Sequence, residues 1–322
     1  MRRTDRVGMK GATLSVVTPS YNYGWSIEDA LKSVRSAGSL LPDGWHIEHV
    51  VVDDASSDES PAILRGWRGS LTLELRTENR GQSSTLNHCL SLSSGDWVAW
   101  LNADDFYLPW ALRDACEAFD DDVDVVFGDA VILDGSGRFA RLLPEHPFSL
   151  WTLRWWGTYL PVGSVFMRAN LLKDLGWRED LSLLLDWDLW LRAAESGARF
   201  RYVRAPLAAT RRHESQESLQ PRPGRLEEKI HVREAHGLPT TPRVWRAAGR
   251  VAAVDHALRK AISGSYARQY RARRLVGRSM RWFDDPSDGA AVVDLYRIAY
   301  ARELPTAPDE PERLFGPSEG RQ

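Results

Sequence analysis

A chain of 322 residues, 43% apolar and 27% charged, has the balance of a folded globular protein, which excludes disorder or fibrous repeats for its bulk. The length corresponds to two ordinary domains, or to one large α/β domain with an appendage. The net charge of −2 hides an uneven distribution: from Arg243 to Trp282 eleven Lys or Arg residues stand against one acid, Asp255, so this stretch carries +10 and the rest of the chain −12.

Residues 14–18 and 48–53 are short β-branched runs, and between them Ser26 to Ala37 puts Ile27, Ala30, Leu31 and Val34 on one helical face. Strand, helix, strand at this spacing predicts a parallel βαβ unit. A second helix is predicted from Ser60-Pro61, a strand over Leu71 to Arg76, a helix over Gly81 to Leu92 and a strand over Trp97 to Leu101. Pro109 to Phe119 reads as a helix and Val123 to Phe127 as a strand. Val131 to Asp180, rich in aromatics, Gly and Pro, reads as irregular loops and small strands; Leu185 to Ser196 reads as a helix and Phe200 to Val203 as a short strand. Beyond the polar stretch 213–218 and Pro221 and Pro223, the chain reads as helical to about Tyr300. There Val244, Ala248, Val251, Val254, Leu258 and Ile262 form one face of an amphipathic helix whose other face is basic. Pro305, Pro308, Pro311 and Pro317 predict a frayed end.

Cys89 and Cys116, the only cysteines, provide neither a disulfide framework nor a four-cysteine metal site, and read as small buried apolar residues. The apolar run after Arg2, Arg3 and Arg6 is too short for a signal-peptide core, and no window reaches the ~18 apolar residues of a membrane span. A cytoplasmic protein is expected, with peripheral contact at the inner face of the membrane left open.

In open α/β sheets ligands bind beyond the carboxyl ends of the strands. Here those ends read Thr18-Pro19-Ser20-Tyr21-Asn22, Asp53-Asp54-Ala55-Ser56-Ser57-Asp58, Glu78-Asn79-Arg80-Gly81-Gln82 and Asn102-Ala103-Asp104-Asp105. Each alone suits turn and cap chemistry; four in register point to a ligand site. No G-x-x-x-x-G-K-[ST] loop is present, and no G-x-G-x-x-G follows the first strand, so kinase-type and dinucleotide-type phosphate cradles are disfavoured. Carboxylates repel a diphosphate, so a nucleotide-diphosphate ligand requires a divalent cation held by oxygen ligands such as Asp104, with Arg80 contacting phosphate or a neighbouring acid.

Thr-Pro-Ser-Tyr-Asn at 18–22, Val-Asp-Asp-Ala-Ser at 52–56, Arg-Gly-Gln-Ser at 80–83 and Trp-Leu-Asn-Ala-Asp-Asp at 100–105 resemble the nucleotide-binding half of family 2 glycosyltransferases, which have the GT-A fold. The resemblance continues through Phe127-Gly128-Asp129, Ser164 to Arg168, Asp186 to Arg192 and Arg211-Arg212-His213, eight blocks in the family's order. It implies an α/β fold, Rossmann-like with a mostly parallel central sheet, and a C-terminal helical extension. The implied divisions are a tail at 1–12, a GT-A domain at 13–218 (nucleotide-sugar half 13–110, acceptor half 123–218), a basic helical extension at 219–304 and a flexible tail at 305–322.

The resemblance also implies roles. Tyr21 lies by the base and Asp54 reads its edge; Thr18, Pro19, Arg80, Gly81, Asn102 and Ala103 complete the nucleotide site. Asp104 binds the metal, Mn2+ or Mg2+, with Asn102 replacing the first acid of the family's D-x-D, and His213 completes the metal site from a closing loop. Asp186 is the matching catalytic base of a metal-dependent inverting transfer, its pKa expected to be lowered by a helix N-terminus. Leu185 stands where the family usually places an acid, which keeps Asp188 as a second candidate. Trp151, Trp155, Trp156, Tyr159, Trp187 and Asp188 fall on the acceptor side, where tryptophans stack on sugars, insert among lipid headgroups or pack in the core.

The family's processive polymerases carry Gln-x-x-Arg-Trp; Gln269 is followed by Arg273 and Arg274 instead, so one sugar is expected to move per event. The donor is a nucleotide sugar, UDP-sugar favoured, and the acceptor a glycan, a lipid-linked sugar or a small molecule in cell-surface polysaccharide, glycolipid or secondary-metabolite synthesis. The basic stretch 243–282 suits an anionic membrane or a partner protein or simply solvent, with no nucleic acid expected. The competing reading is a catalytically silent sugar-nucleotide scaffold or sensor, suggested by Asn102 and Leu185; a nucleotidyltransferase is disfavoured by the missing glycine-rich loop.

Overall fold

The structure, a computed structural model, describes residues 11–134, 138–213 and 224–276. The predicted tail at 305–322, the helix beyond Val276 and most of the N-terminal tail lie outside the described residues. The chain begins with β1 (Thr13–Ser20), α1 (Ile27–Gly38), β2 (His46–Asp53), α2 (Ser60–Gly66), β3 (Thr72–Leu75), α3 (Gln82–Leu92) and β4 (Trp97–Trp100). β5 (Asp105–Tyr107), α4 (Ala111–Cys116), β6 (Val125–Leu133), β7 (Phe139–Leu143), α5 (Leu150–Trp155), β8 (Val165–Arg168) and α6 (Ala169–Leu175) follow. The last elements are α7 (Leu185–Glu195), β9 (Phe200–Arg211), α8 (Arg225–Ala235), α9 (Pro242–Ile262) and α10 (Ser265–Val276).

One sheet of order β3-β2-β1-β4-β8-β6-β9-β5 runs through the molecule, with β7 on β6. β3, β2, β1 and β4 are parallel, as are β6 and β9, whereas β8 pairs antiparallel with β4 and β6. β1 is buried along nearly its whole length, as befits a strand covered on both faces. α1 presents Ile27, Ala30, Leu31 and Val34 inward, and Cys89 and Cys116 are buried.

Two readings need correction. The stretch from Val131 is not irregular: β6 runs on to Leu133, and β7, α5, β8 and α6 follow. Nor does β9 stop at Val203; it reaches Arg211 through register shifts opposite Gly128 and Asp129, where Pro206, lacking an N–H, is tolerated. Gly128 is needed there, since a Cβ would lie 2.6 Å from Leu207 and 2.8 Å from the Ala205 carbonyl. The predicted amphipathic helix forms as α9, and its apolar residues face outward: Val244, Val251, Val254, Leu258 and Ile262 are between 48% and 79% exposed. Small residues turn the other face inward: Ala252 is buried, and Gly249 lies so near α5 that a Cβ would sit 3.3 Å from the Trp155 carbonyl. Asp255, His256 and Lys260 reach from α9 to Thr152, His146 and Glu145.

Candidate active site

The strand ends form one rim because their turns are tied to one another. Asn22 adopts a left-handed conformation (φ 59°), which asparagine tolerates; its N–H donates to Ser56 Oγ at 2.8 Å and its Oδ1 accepts from the Ser57 N–H at 2.8 Å. Asp54, buried beyond β2, accepts from the N–H groups of Arg80 (3.0 Å) and Gly81 (2.8 Å) and from Arg76 Nη1 (3.0 Å). It therefore anchors the loop before α3, with Gly81 at φ 83° as the turn. Pro19, Tyr21, Asp54, Arg80 and Gly81 line a cleft of about 1110 Å3. Thr18 does not reach it: its hydroxyl lies 3.0 Å from the buried His49 Nε2.

Asn102, Ala103 and Asp104 also line the cleft. Asn102 Oδ1 accepts from Trp100 Nε1 (2.8 Å) and Gln82 Nε2 (3.2 Å), while its amide nitrogen donates to Asp105 Oδ2 (3.4 Å). An aspartate at 102 would add a third carboxylate beside Asp104 and Asp105. Burial, followed by the charge of Asp104, already pushes Asp105 well above the usual carboxylate range. Asp104 Oδ2 lies 2.9 Å from His213 Nε2, across 109 residues of sequence, and Trp25 packs edge-on against that imidazole with ring centres 4.9 Å apart.

A metal fits here. A carboxylate and an imidazole meet at the cleft wall, and the buried Asp105 Oδ1 beside them has no hydrogen-bond partner among the described residues. The oxygen and nitrogen donors suit Mn2+; Mg2+ is more dependent on oxygen alone.

Asp186 also lines the cleft, in the first turn of α7, and its Oδ1 accepts the Trp187 N–H at 2.7 Å. The expected lowering of its pKa is overturned. Burial pushes it up to about 6 and the charge of Glu228 adds to this, against hydrogen bonds from the Trp187 N–H and the Thr158 hydroxyl. Desolvation outweighs the helix dipole, which is worth under about 1 kcal/mol at exposed sites. Glu228 of α8 also holds the loop ahead of α7, its Oε1 accepting the N–H groups of Leu183 and Leu184 at 2.7 Å each.

Asp188 and Trp187 do not belong to the cleft. Asp188 is fully buried, 2.7 Å from Arg192 Nε and 3.1 Å from His236 Nε2, so it is no base candidate; Trp187 is buried, donating from Nε1 to the Leu153 carbonyl at 2.7 Å. Trp156 does line the cleft, half exposed and stacked on His256. Among the cleft residues that escaped the sequence reading are Arg141 of β7, Glu145 just after it, Thr158, and His256 and Lys260 of α9. Lys260 Nζ lies 3.1 Å from Glu145 Oε1. Behind them Arg268 of α10, buried, donates to the Tyr202 hydroxyl at 2.7 Å and lies 3.5 Å from Asp129 Oδ2. No signal in the +10 stretch distinguished these residues from a solvated basic face.

The model of "Glycosyl transferase family 2" matches residues 15–175, half of the chain. The chain belongs to that family. Among similar proteins, "Uncharacterized protein MT1568" of Mycobacterium tuberculosis is 30% identical over 201 residues, 56% of this chain and 61% of that protein. "Putative glycosyltransferase EpsE" of Bacillus subtilis is 28% identical over 199 residues, 59% of this chain and 69% of EpsE. The chain thus spans about three-fifths of the first of these relatives. The crystal structure of Staphylococcus aureus TarS 1–349 in complex with UDP-GlcNAc shares the fold at a TM-score of 0.56 and 18% identity, over 88% of this chain and 81% of that one. The mannosyltransferase PcManGT of Pyrobaculum calidifontis, in complex with GDP-Man and Mn2+, does so at 0.51 and 20% identity, over 92% and 86%. The family 2 cleft of this chain is accordingly built on a GT-A-type mixed sheet with a helical C-terminal part. Among the described residues, no helix is long and apolar enough to cross a membrane.

Proposed function

We propose that the protein is an inverting, metal-dependent hexosyltransferase that moves one sugar from a UDP-sugar to an acceptor hydroxyl. The observation that carries this reading is one cleft lined both by Asp104, which His213 meets at 2.9 Å to make a metal-type pair, and by Asp186, a half-buried carboxylate in the first turn of α7. Tyr21 and Pro19 flank the base, Asp54 holds the Arg80–Gly81 loop in place, and Arg80 offers its guanidinium to phosphate. Asp104 and His213 would hold Mn2+ or Mg2+, which neutralises charge on the departing diphosphate when bound. Asp186 takes the proton of the acceptor hydroxyl as its oxygen attacks the anomeric carbon and the bond to the diphosphate breaks; a single displacement inverts that carbon. A pKa of about 6 suits this base: it is mostly ionised at neutral pH yet more basic than a free aspartate.

Residues 13–218 form the transferase domain in this reading, and the helices from 219 onward close its acceptor half. The acceptor is a glycan, a lipid-linked sugar or a small molecule of surface-polysaccharide, glycolipid or secondary-metabolite synthesis, met in the cytoplasm. The outward apolar stripe of α9, flanked by exposed Arg243, Arg246 and Arg250, supports peripheral contact with anionic lipid. Incubation with a panel of sugar nucleotides, with and without Mn2+, tests the whole: UDP-sugar turnover with inverted anomeric configuration by NMR is expected, and Asp104→Ala should lose metal-dependent donor binding. Binding without hydrolysis or transfer under every condition would replace the enzyme with a sugar-nucleotide sensor.

A further inference from the structure

On the acceptor side, Glu145, His146 and His256 bring one ligand atom each to within 4.8 Å of one another. None of them belongs to the Asp104–His213 pair. Glu145 and His146 follow β7, and His256 comes from α9, so the cluster joins two distant parts of the chain. Its hydrogen bonds resemble the support that metal ligands receive elsewhere. His146 Nδ1 lies 2.7 Å from the Pro147 carbonyl, to which it donates, and this leaves the lone pair on Nε2. His256 Nδ1 lies 2.9 Å from that Nε2, and its ring is clamped between Trp156 (centroids 5.6 Å apart, planes 20° apart) and Tyr159 (5.7 Å).

Glu145 supplies the second, independent observation. It is 2% exposed, and while Oε1 takes Lys260, Oε2 has no hydrogen-bond partner among the described residues and lies 3.9 Å from His256 Nε2. A buried carboxylate oxygen left without a partner is costly and calls for a cation or a proton.

We propose that Glu145, His146 and His256 form a second metal site, which takes a Zn2+-class ion on three protein ligands. Two imidazoles and one carboxylate are a borderline donor set that favours Zn2+ over Mg2+. Zinc bonds of ~2.0–2.1 Å set ligands roughly 3.4 Å apart in a tetrahedron, so the cluster tightens by about 1 Å as His256 turns out of its bond to His146. The fourth position faces the cleft, which Glu145 and His256 line. Lys260 stays on Oε1, and the ion pins α9 to the loop after β7. The site stands whether or not the donor-side reading is right.

The test uses the full chain carrying Asp104→Ala, stripped with chelator and titrated with Zn2+ alone. One equivalent should bind with sub-micromolar affinity, and Co2+ in its place should give the visible bands of a four-coordinate ion. His256→Gln and His146→Gln should each weaken binding at least tenfold, by analogy with the ~10–100-fold cost of disturbing a metal's supporting shell. Lys260→Met, which removes the competing cation, should bind Zn2+ severalfold more tightly. Absence of stoichiometric binding, or histidine variants that fold and bind as the parent does, overturns the site. If those variants do not fold, an unchanged or weaker affinity in Lys260→Met overturns it instead.

Discussion

Asp186→Asn is the sharpest probe of the cleft because it acts on stability and catalysis in opposite directions. Folding raises the Asp186 pKa from 3.8 to about 6, so the carboxylate opposes the fold once ionised. At ~1.36 kcal/mol per pH unit the gap amounts to about 3 kcal/mol, and relaxation and water entry reduce this to roughly 1–3 kcal/mol. The sign follows from linkage: the stabilisation given by the neutral acid is complete below pH 3.8, and is lost as pH rises through about 6. The isosteric amide keeps an acceptor for the Trp187 N–H and never ionises. At pH 7.5 the variant should therefore melt higher than the parent by roughly 3–10 °C, at ~2–4 °C per kcal/mol for a chain of this size. The gain should fall to about half near pH 5 and vanish by about pH 4. Turnover should drop by ~10²–10⁴-fold, the usual contribution of a general base, with donor affinity retained. Differential scanning calorimetry across pH, beside a transfer assay, checks both. A pH-independent melting difference would refute the desolvation argument; undiminished turnover would remove Asp186 from the mechanism.

Glu228→Gln removes a charge that raises the Asp186 pKa, so the acid limb of kcat should move to lower pH, while loss of the charged cap on residues 183–184 lowers kcat with donor KM little changed. A pH–rate profile identical to the parent's would show that Glu228 only braces the loop. Val251→Glu with Val254→Glu, on the outward stripe of α9, should abolish cosedimentation with phosphatidylglycerol vesicles and leave transfer to a soluble acceptor intact. A parent chain that stays in the supernatant with anionic vesicles would contradict the membrane reading.

The donor wall was legible because its chemistry is local: Asn22, Asp54, Gly81 and Asn102 are turn residues at the ends of strands whose spacing the sequence declares. Asp186 was found through family resemblance, but its titration was misjudged. A helix N-terminus can be read from sequence, whereas burial of the carboxyl and the approach of Glu228 from α8 depend on packing. β9 was cut short because Arg204 and Pro206 look like a strand end until a register shift accommodates them. The acceptor wall was out of reach, since His146 and His256 stand 110 residues apart. The periodicity of α9 was real, but periodicity does not tell which face packs, and here polar pairs with Thr152, Glu145 and His146 hold the helix from the side opposite its apolar stripe.

The dependence of the cleft on α8, α9 and α10 has a consequence for how the protein is made. Asp186 leaves the ribosome well before Glu228, His256 and Arg268, the residues that seat its loop, complete the facing wall and engage the buried Asp129. About 80 residues separate Asp186 from Arg268, which at ~5–20 residues per second is roughly 4–16 s of synthesis. Through that interval the nascent chain holds the Asp129 carboxylate and the Tyr202 hydroxyl without the Arg268 guanidinium. Under the proposed function the cleft is therefore incomplete until Arg268 has been made, and a cut ahead of α8, α9 or α10 should abolish turnover.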